Sequence, residues 1–529
     1  MTRFISRYRR RQTLLLWGPL VVISFLAFVT ALVVWLYMMR NVTPNQRFLR
    51  AIDREEIETA EQIAWQMLQE KPEDLARWIR FVDVHTSMTG DADEGSPNPT
   101  VSQSSVHKLI AGIGDARVRT IAAYWYDVRT AETAPDPAAI TGLADANPPQ
   151  KFANYVLARV ALLKKDWRTA ANRFEREGLA FPSDRQRDLR RAIAIWIDHD
   201  AWNAVRRRIR DPRYDSALDA SLRLDIATHE HDWLRILVWI WPAGFVHWNA
   251  WPIALAVLAA TLWLVIAVRL GRVQDGVPGR RRLYALAFIL GILSVYPTLL
   301  TITVEEEFLG LKELGGFVPD LIYFIFAVAL REEGWKIILF LPLVPALLRR
   351  GSRIEAMTCG ALVGLGFAAE ENIGYFHRFG AEATLPRFLT ANFFHMSLTA
   401  VVALSVFDTR RGRAAEDRFN VIFPLAIIIH GAYDFFLTTN DMPLSSIFST
   451  LLLIIISRQF LRQLLIATSK AEERGALYLL IASMALITGV SYVYATTLVG
   501  PWGAFRLIAI GIVGVAIVIY MFVRELSPG

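Results

Sequence analysis

Runs of roughly 15 to 30 mostly apolar residues recur along this chain, and they leave little choice of fold. They fall at residues 14–39, 251–268, 283–304, 317–348, 357–376, 388–407, 421–437, 447–461, 477–498 and 505–523. Inside lipid every backbone N–H and C=O must find its partner within the protein, so runs of this length cross the bilayer as helices. The sequence predicts an all-α fold, a polytopic transmembrane helix bundle of about ten spans.

The chain has 529 residues, of which 54% are hydrophobic and 20% charged, so apolar and polar material is segregated along it. The net charge of +7 is not a nucleic-acid signature, because the arginines sit at the ends of apolar runs and form no single basic face. They read as topology signals. Arg3, Arg7, Arg9, Arg10 and Arg11 precede the first run, which is longer than a signal-peptide core and lacks a small-residue cleavage site; it predicts a signal anchor with a cytosolic N-terminus. Basic loops at Arg269–Arg282, Arg349–Arg353 and Arg410–Arg413 then alternate with the acidic Glu305, Glu306 and Glu307. Both termini come out cytosolic, and the protein is expected in a bacterial cytoplasmic membrane. Cys359 is the only cysteine, which excludes an intrachain disulfide and a cysteine-type zinc cluster.

Five regions follow: a basic N-terminus and anchor at 1–43, an extracytoplasmic helical domain at 44–235, a span with its basic loop at 236–282, a membrane core at 283–440, and further spans at 441–529. The outer domain repeats apolar residues near the helical period. Its stretch from Tyr155 to Phe174 reads as a helical hairpin of tetratricopeptide type, turning at Lys165 and Asp166 and packing closely at Ala170 and Ala171. Between the helix pairs, residues 86–105 are rich in Gly, Ser, Asp and Pro and read as a loop.

Among the ionisable residues inside apolar runs, eight stand out: Glu332, Glu333, Lys336, Glu370, Glu371, His395, His430 and Asp434. A charge at mid-bilayer costs roughly 2.5 kcal/mol or more, so such groups persist mainly where they function. Lys336 follows Glu332 by four residues and Glu333 by three, which puts all three on one side of a helix. Glu371 follows Phe367 by one turn beside glycines that let neighbouring helices approach, while Glu370 is turned about 100° away. Asp434 follows His430 by one turn and can orient its ring. Two histidines and one or two carboxylates suffice to hold a divalent metal with an open position for water, leaving another glutamate as base. That chemistry is hydrolysis, and its setting implies a substrate entering laterally from lipid.

Glu332-Glu-Gly-Trp-Lys336 follows the pattern E-E-x-x-K, Phe367-Ala-Ala-Glu-Glu371 follows F-x-x-x-E, and His430-Gly-Ala-Tyr-Asp434 follows H-x-x-x-D. In that order the chain resembles the PrsW family of intramembrane proteases, similar in turn to the CAAX prenyl proteases and bacteriocin-immunity membrane proteins. The resemblance covers about 284–440. It implies proteolysis of a membrane-anchored substrate such as an anti-sigma factor, with a divalent metal, zinc foremost, or, as the related prenyl proteases suggest, with glutamate and histidine activating water without one. Carried onto this chain it makes Glu332, Glu333 and Lys336 catalytic, with His395, His430 and Glu371 holding metal or water. Asp434, Glu370 and Asn372 would support them. The outer domain would bind a substrate ectodomain or peptide. Two other classes compete: an inactive membrane-peptide scaffold of the immunity type, and a proton-coupled transporter, against which no inverted repeat of spans is visible.

Overall fold

A computed structural model describes residues 21–37, 43–53, 56–87, 100–131, 135–244, 250–271, 276–412, 417–439, 445–465 and 470–526. The basic residues 3–11, residues 88–99 of the expected loop, Arg272 and Arg413 lie outside them. The described chain is 86% helix with no strand. It divides into two compact units, Met39–Trp239 on one side and Met1–Met38 with Ile240–Gly529 on the other.

In the first unit successive amphipathic helices pack in pairs. Ile57–Glu70 meets Leu75–Ser87, and Ala153–Leu163 meets Trp167–Ala180, which in turn meets Arg185–Asp198. The turn at 164–166 is made by Lys165 at φ 59° and by Asp166, whose side chain accepts from Thr169 N–H and caps the next helix. Ala170 and Ala171 are fully buried there, as small residues must be where two helices touch. Trp78, Phe81, Trp125 and Tyr126 fill one core, and Leu189, Ile193 and Val205 a second.

In the second unit six segments of the described residues are long and apolar enough to cross a membrane: Ala250–Leu270, Arg280–Phe308, Arg353–Arg410, Arg418–Thr438, Ser445–Leu464 and Gly475–Gly514. One of them, Arg353–Arg410, contains two of the expected runs, joined by short helical turns at Gly380–Ala383 and Thr384–Leu389. Gly475–Gly514 bends at Gly500, which has φ 76° and precedes Pro501. The expected run at 317–348 is not one continuous α-helix. It passes through a π-helical stretch at Phe324–Ala329 and a 3₁₀ turn at Leu341–Leu343, where Pro342 and Pro345 withhold the N–H groups an α-helix needs.

Four helices carry the intramembrane charges: α1 (Leu330–Phe340), α2 (Arg353–Phe379), α3 (Ala391–Arg410) and α4 (Asp417–Thr438). The helix α2 is buried along most of its length and packs on α3 and on Arg280–Leu293. Contact is this close because α2 offers glycine at the crossings. A methyl group at Gly364 would collide with the backbone carbonyl of His395, and one at Gly366 with that of Phe288. Ion pairs tie the other ends of these helices together, Arg353 to Asp408 at 2.8 Å and Arg280 to Glu355 at 2.6 Å.

Candidate active site

The three-and-four spacing on α1 brings Lys336 over both preceding glutamates. Its Nζ lies 2.8 Å from Glu333 Oε1 and 3.4 Å from Glu332 Oε2. Lys336 and Glu333 are fully buried, whereas 13% of the Glu332 side chain stays exposed. A sealed ammonium costs least where carboxylates and a lone pair surround it. Lys336 also donates to His395 Nδ1 at 3.0 Å and lies 3.9 Å from the centre of the Phe367 ring.

From α3, His395 turns its other nitrogen, Nε2, to Glu371 Oε2 of α2 at 3.2 Å. From α4, His430 stands with Nδ1 2.9 Å from Glu333 Oε1, and with Nε2 3.2 Å from Asp434 Oδ2 and 3.7 Å from Glu332 Oε2. The two imidazole rings are 5.2 Å apart. Phe394 stacks on Tyr433 and meets His430 edge-on, closing that side of the ring with apolar surface.

The donor set suits a divalent cation on two grounds. One ligand atom from each of Glu332, His395 and His430 lies within 4.8 Å of the others. Both nitrogens of the buried His430 approach carboxylate oxygens without forming a well-aligned hydrogen bond, which leaves a buried polar ring unsatisfied unless an ion or water completes it. Four carboxylates (Glu332, Glu333, Glu371, Asp434) meet Lys336 and Arg387 here, so carboxylates outnumber the lysine and arginine cations.

Residues 279–459 match the PrsW family of intramembrane metalloproteases. Comparisons with curated proteins and with solved structures found no match. The match covers about a third of the chain, and together with the six apolar helices it supports an integral membrane protein. All eight intramembrane charges lie inside the matched segment, and the metal that a PrsW metalloprotease requires has a Glu332, His395 and His430 cluster available to it.

The sequence-predicted residues converge, with one difference in partners. Glu332, expected beside Lys336 as a base, joins the two histidines, while Glu371, expected among the ligands, is engaged by Arg387 Nη2 at 2.8 Å. Asp434 sits against His430, and Asn372 is fully buried behind Glu371. Glu370 is half-buried on the neighbouring face of α2. Sequence reading passed over Arg387. Its signal was an arginine beside Pro386 in a loop expected outside, where the positive-inside rule predicts few basic residues.

Proposed function

We propose that the chain is an intramembrane endopeptidase that hydrolyses peptide bonds of membrane-anchored proteins. The observation that carries this is the meeting of Glu332, Glu333, Lys336, His395 and His430 from three helices at one buried point in the PrsW-matching segment. Glu332, His395 and His430 would hold a divalent metal, zinc by preference for two imidazoles and a carboxylate. Bound there, such an ion would supply Lewis-acid chemistry, polarising the scissile carbonyl and lowering the pKa of a water.

The protein's own groups do the rest. With Glu332 committed to the ion, Glu333 is the remaining carboxylate of the pair, and it takes the proton as the water oxygen bonds to the carbonyl carbon. That proton passes to the departing amine as the C–N bond breaks. Lys336 neutralises charge gathering on the carbonyl oxygen, held at the centre by Glu333. Asp434 orients His430. The substrate enters sideways from lipid as a single-pass segment of the anti-sigma-factor kind. About ten spans cross a bacterial cytoplasmic membrane, both termini are cytosolic, and the helical hairpins of 44–235 form a repeat-like outer domain that captures the substrate ectodomain.

Proteoliposomes carrying a panel of single-pass substrates test the reading. Cleavage should fall at least about 100-fold in Glu333→Gln and in His430→Ala, and a strong chelator should stop it until zinc is restored. Cleavage indifferent to both substitutions would remove these residues from the reaction.

A further inference from the structure

The polar groups behind His395 form a chain that the hydrolytic roles leave unused. Arg387, on the short helix Thr384–Leu389, is 9% exposed and sends Nη2 to Glu371 Oε2 at 2.8 Å and Nε to Asn372 Oδ1 at 2.5 Å. Asn372 Nδ2 donates to Asn392 Oδ1 at 2.5 Å, one turn of α3 before His395. The guanidinium lies 3.5 Å from the centre of the Tyr375 ring. Its fork reaches acceptors on two successive residues of α2 while its face is covered, which a lysine cannot reproduce.

Two contacts fix the protonation of His395, and they agree. The carboxylate of Glu371 accepts only, so Nε2, 3.2 Å away, carries the hydrogen. The ammonium of Lys336 donates only, so Nδ1, 3.0 Å away, carries the lone pair. The nitrogen with the lone pair is thus the one turned to Lys336, whose ammonium also reaches Glu332, and the N–H is the one turned to Glu371. A carboxylate that holds a ligating imidazole in one tautomer by its outer nitrogen is a known device of metal sites.

We infer that Glu371 is the anchor of His395 and not a ligand, and that Arg387 is a positioning residue which clamps Glu371 in that place. Arg387 also locks α2 to α3 through Asn372 and Asn392, so the carboxylate, the histidine and the backbone that carries it are registered together. The inference rests on the reading of Glu332, His395 and His430 as metal donors.

The test uses the full-length protein in lipid nanodiscs, titrated with Co(II) and followed by its visible absorption, alongside cleavage of a membrane reporter. Wild type should bind one Co(II). Glu332→Ala should abolish that binding, whereas Glu371→Ala and Arg387→Lys should weaken it about 10- to 100-fold and keep the one-to-one stoichiometry. Because Arg387 acts through Glu371, the double variant should bind no more weakly than Glu371→Ala alone. For Arg387→Lys the reporter should show a lower kcat with KM unchanged. Loss of binding in Glu371→Ala as complete as in Glu332→Ala would make Glu371 a ligand and overturn the inference. So would a double variant whose loss is the product of the single losses, the mark of a purely structural arginine. Wild type that binds no Co(II) and cleaves nothing overturns the parent reading and the inference together, and is distinguishable from both.

Discussion

Lys336 has no route to solvent, and its partners are carboxylates and a ring nitrogen. Replacing it with Met strands Glu333 as an unpaired buried charge, so Lys336→Met should destabilise by about 3–5 kcal/mol in denaturation of the detergent-solubilised protein. The double variant with Glu333→Gln should recover a large part of that loss, since both charges then disappear. A second residue reports from the unit Met39–Trp239. Glu177, 1% exposed, accepts from Phe152 N–H at 2.5 Å, yet burial pushes its carboxyl up to about 7. Its ordinary value is near 4.3, so between about pH 4 and 7 the unfolded chain has lost a proton that the folded one keeps, and stability falls as pH rises through that window. Unfolding of this unit should be easier at pH 8 than at pH 5 by about 2–3 kcal/mol, and Glu177→Gln should flatten the dependence.

Helix α2 shows how much of a site depends on what a helix lacks. Gly364 and Gly374 belong to the same helix and would each accept a methyl group very differently: the first meets the His395 carbonyl, the second meets nothing within 4 Å. Gly364→Ala should push α3 and His395 away, costing about 1–3 kcal/mol and lowering reporter cleavage, while Gly374→Ala should leave both unchanged. Thermal unfolding and cleavage of the paired variants check it. Spacing within each helix was legible beforehand, because Glu332 to Lys336 and His430 to Asp434 are fixed by 3.6 residues per turn. The break of the 317–348 run was only half legible. Pro342 and Pro345 announce a disturbance, but the π-helical turn at Phe324–Ala329 contains no residue that requires one.

At the scale of the molecule, the separate unit Met39–Trp239 invites a deletion. If that domain captures ectodomains, replacing residues 45–235 with a flexible linker should leave cleavage of a short membrane peptide within about threefold and lower cleavage of substrates with folded ectodomains at least about tenfold. A rise on short substrates would mark the domain as a gate. The amino-acid sequence by itself determined the helical class, the membrane setting and which ionisable residues fall inside apolar runs, because apolar run length and helical periodicity are local properties of the chain. Only the tertiary structure decided the pairings between helices: Glu332 with both histidines, Glu371 with Arg387, and His395 with its lone pair turned to Lys336. Those pairings depend on how far apart and at what rotation four helices stand, and close contacts such as Gly364 against His395 set that distance across residues far apart in the chain.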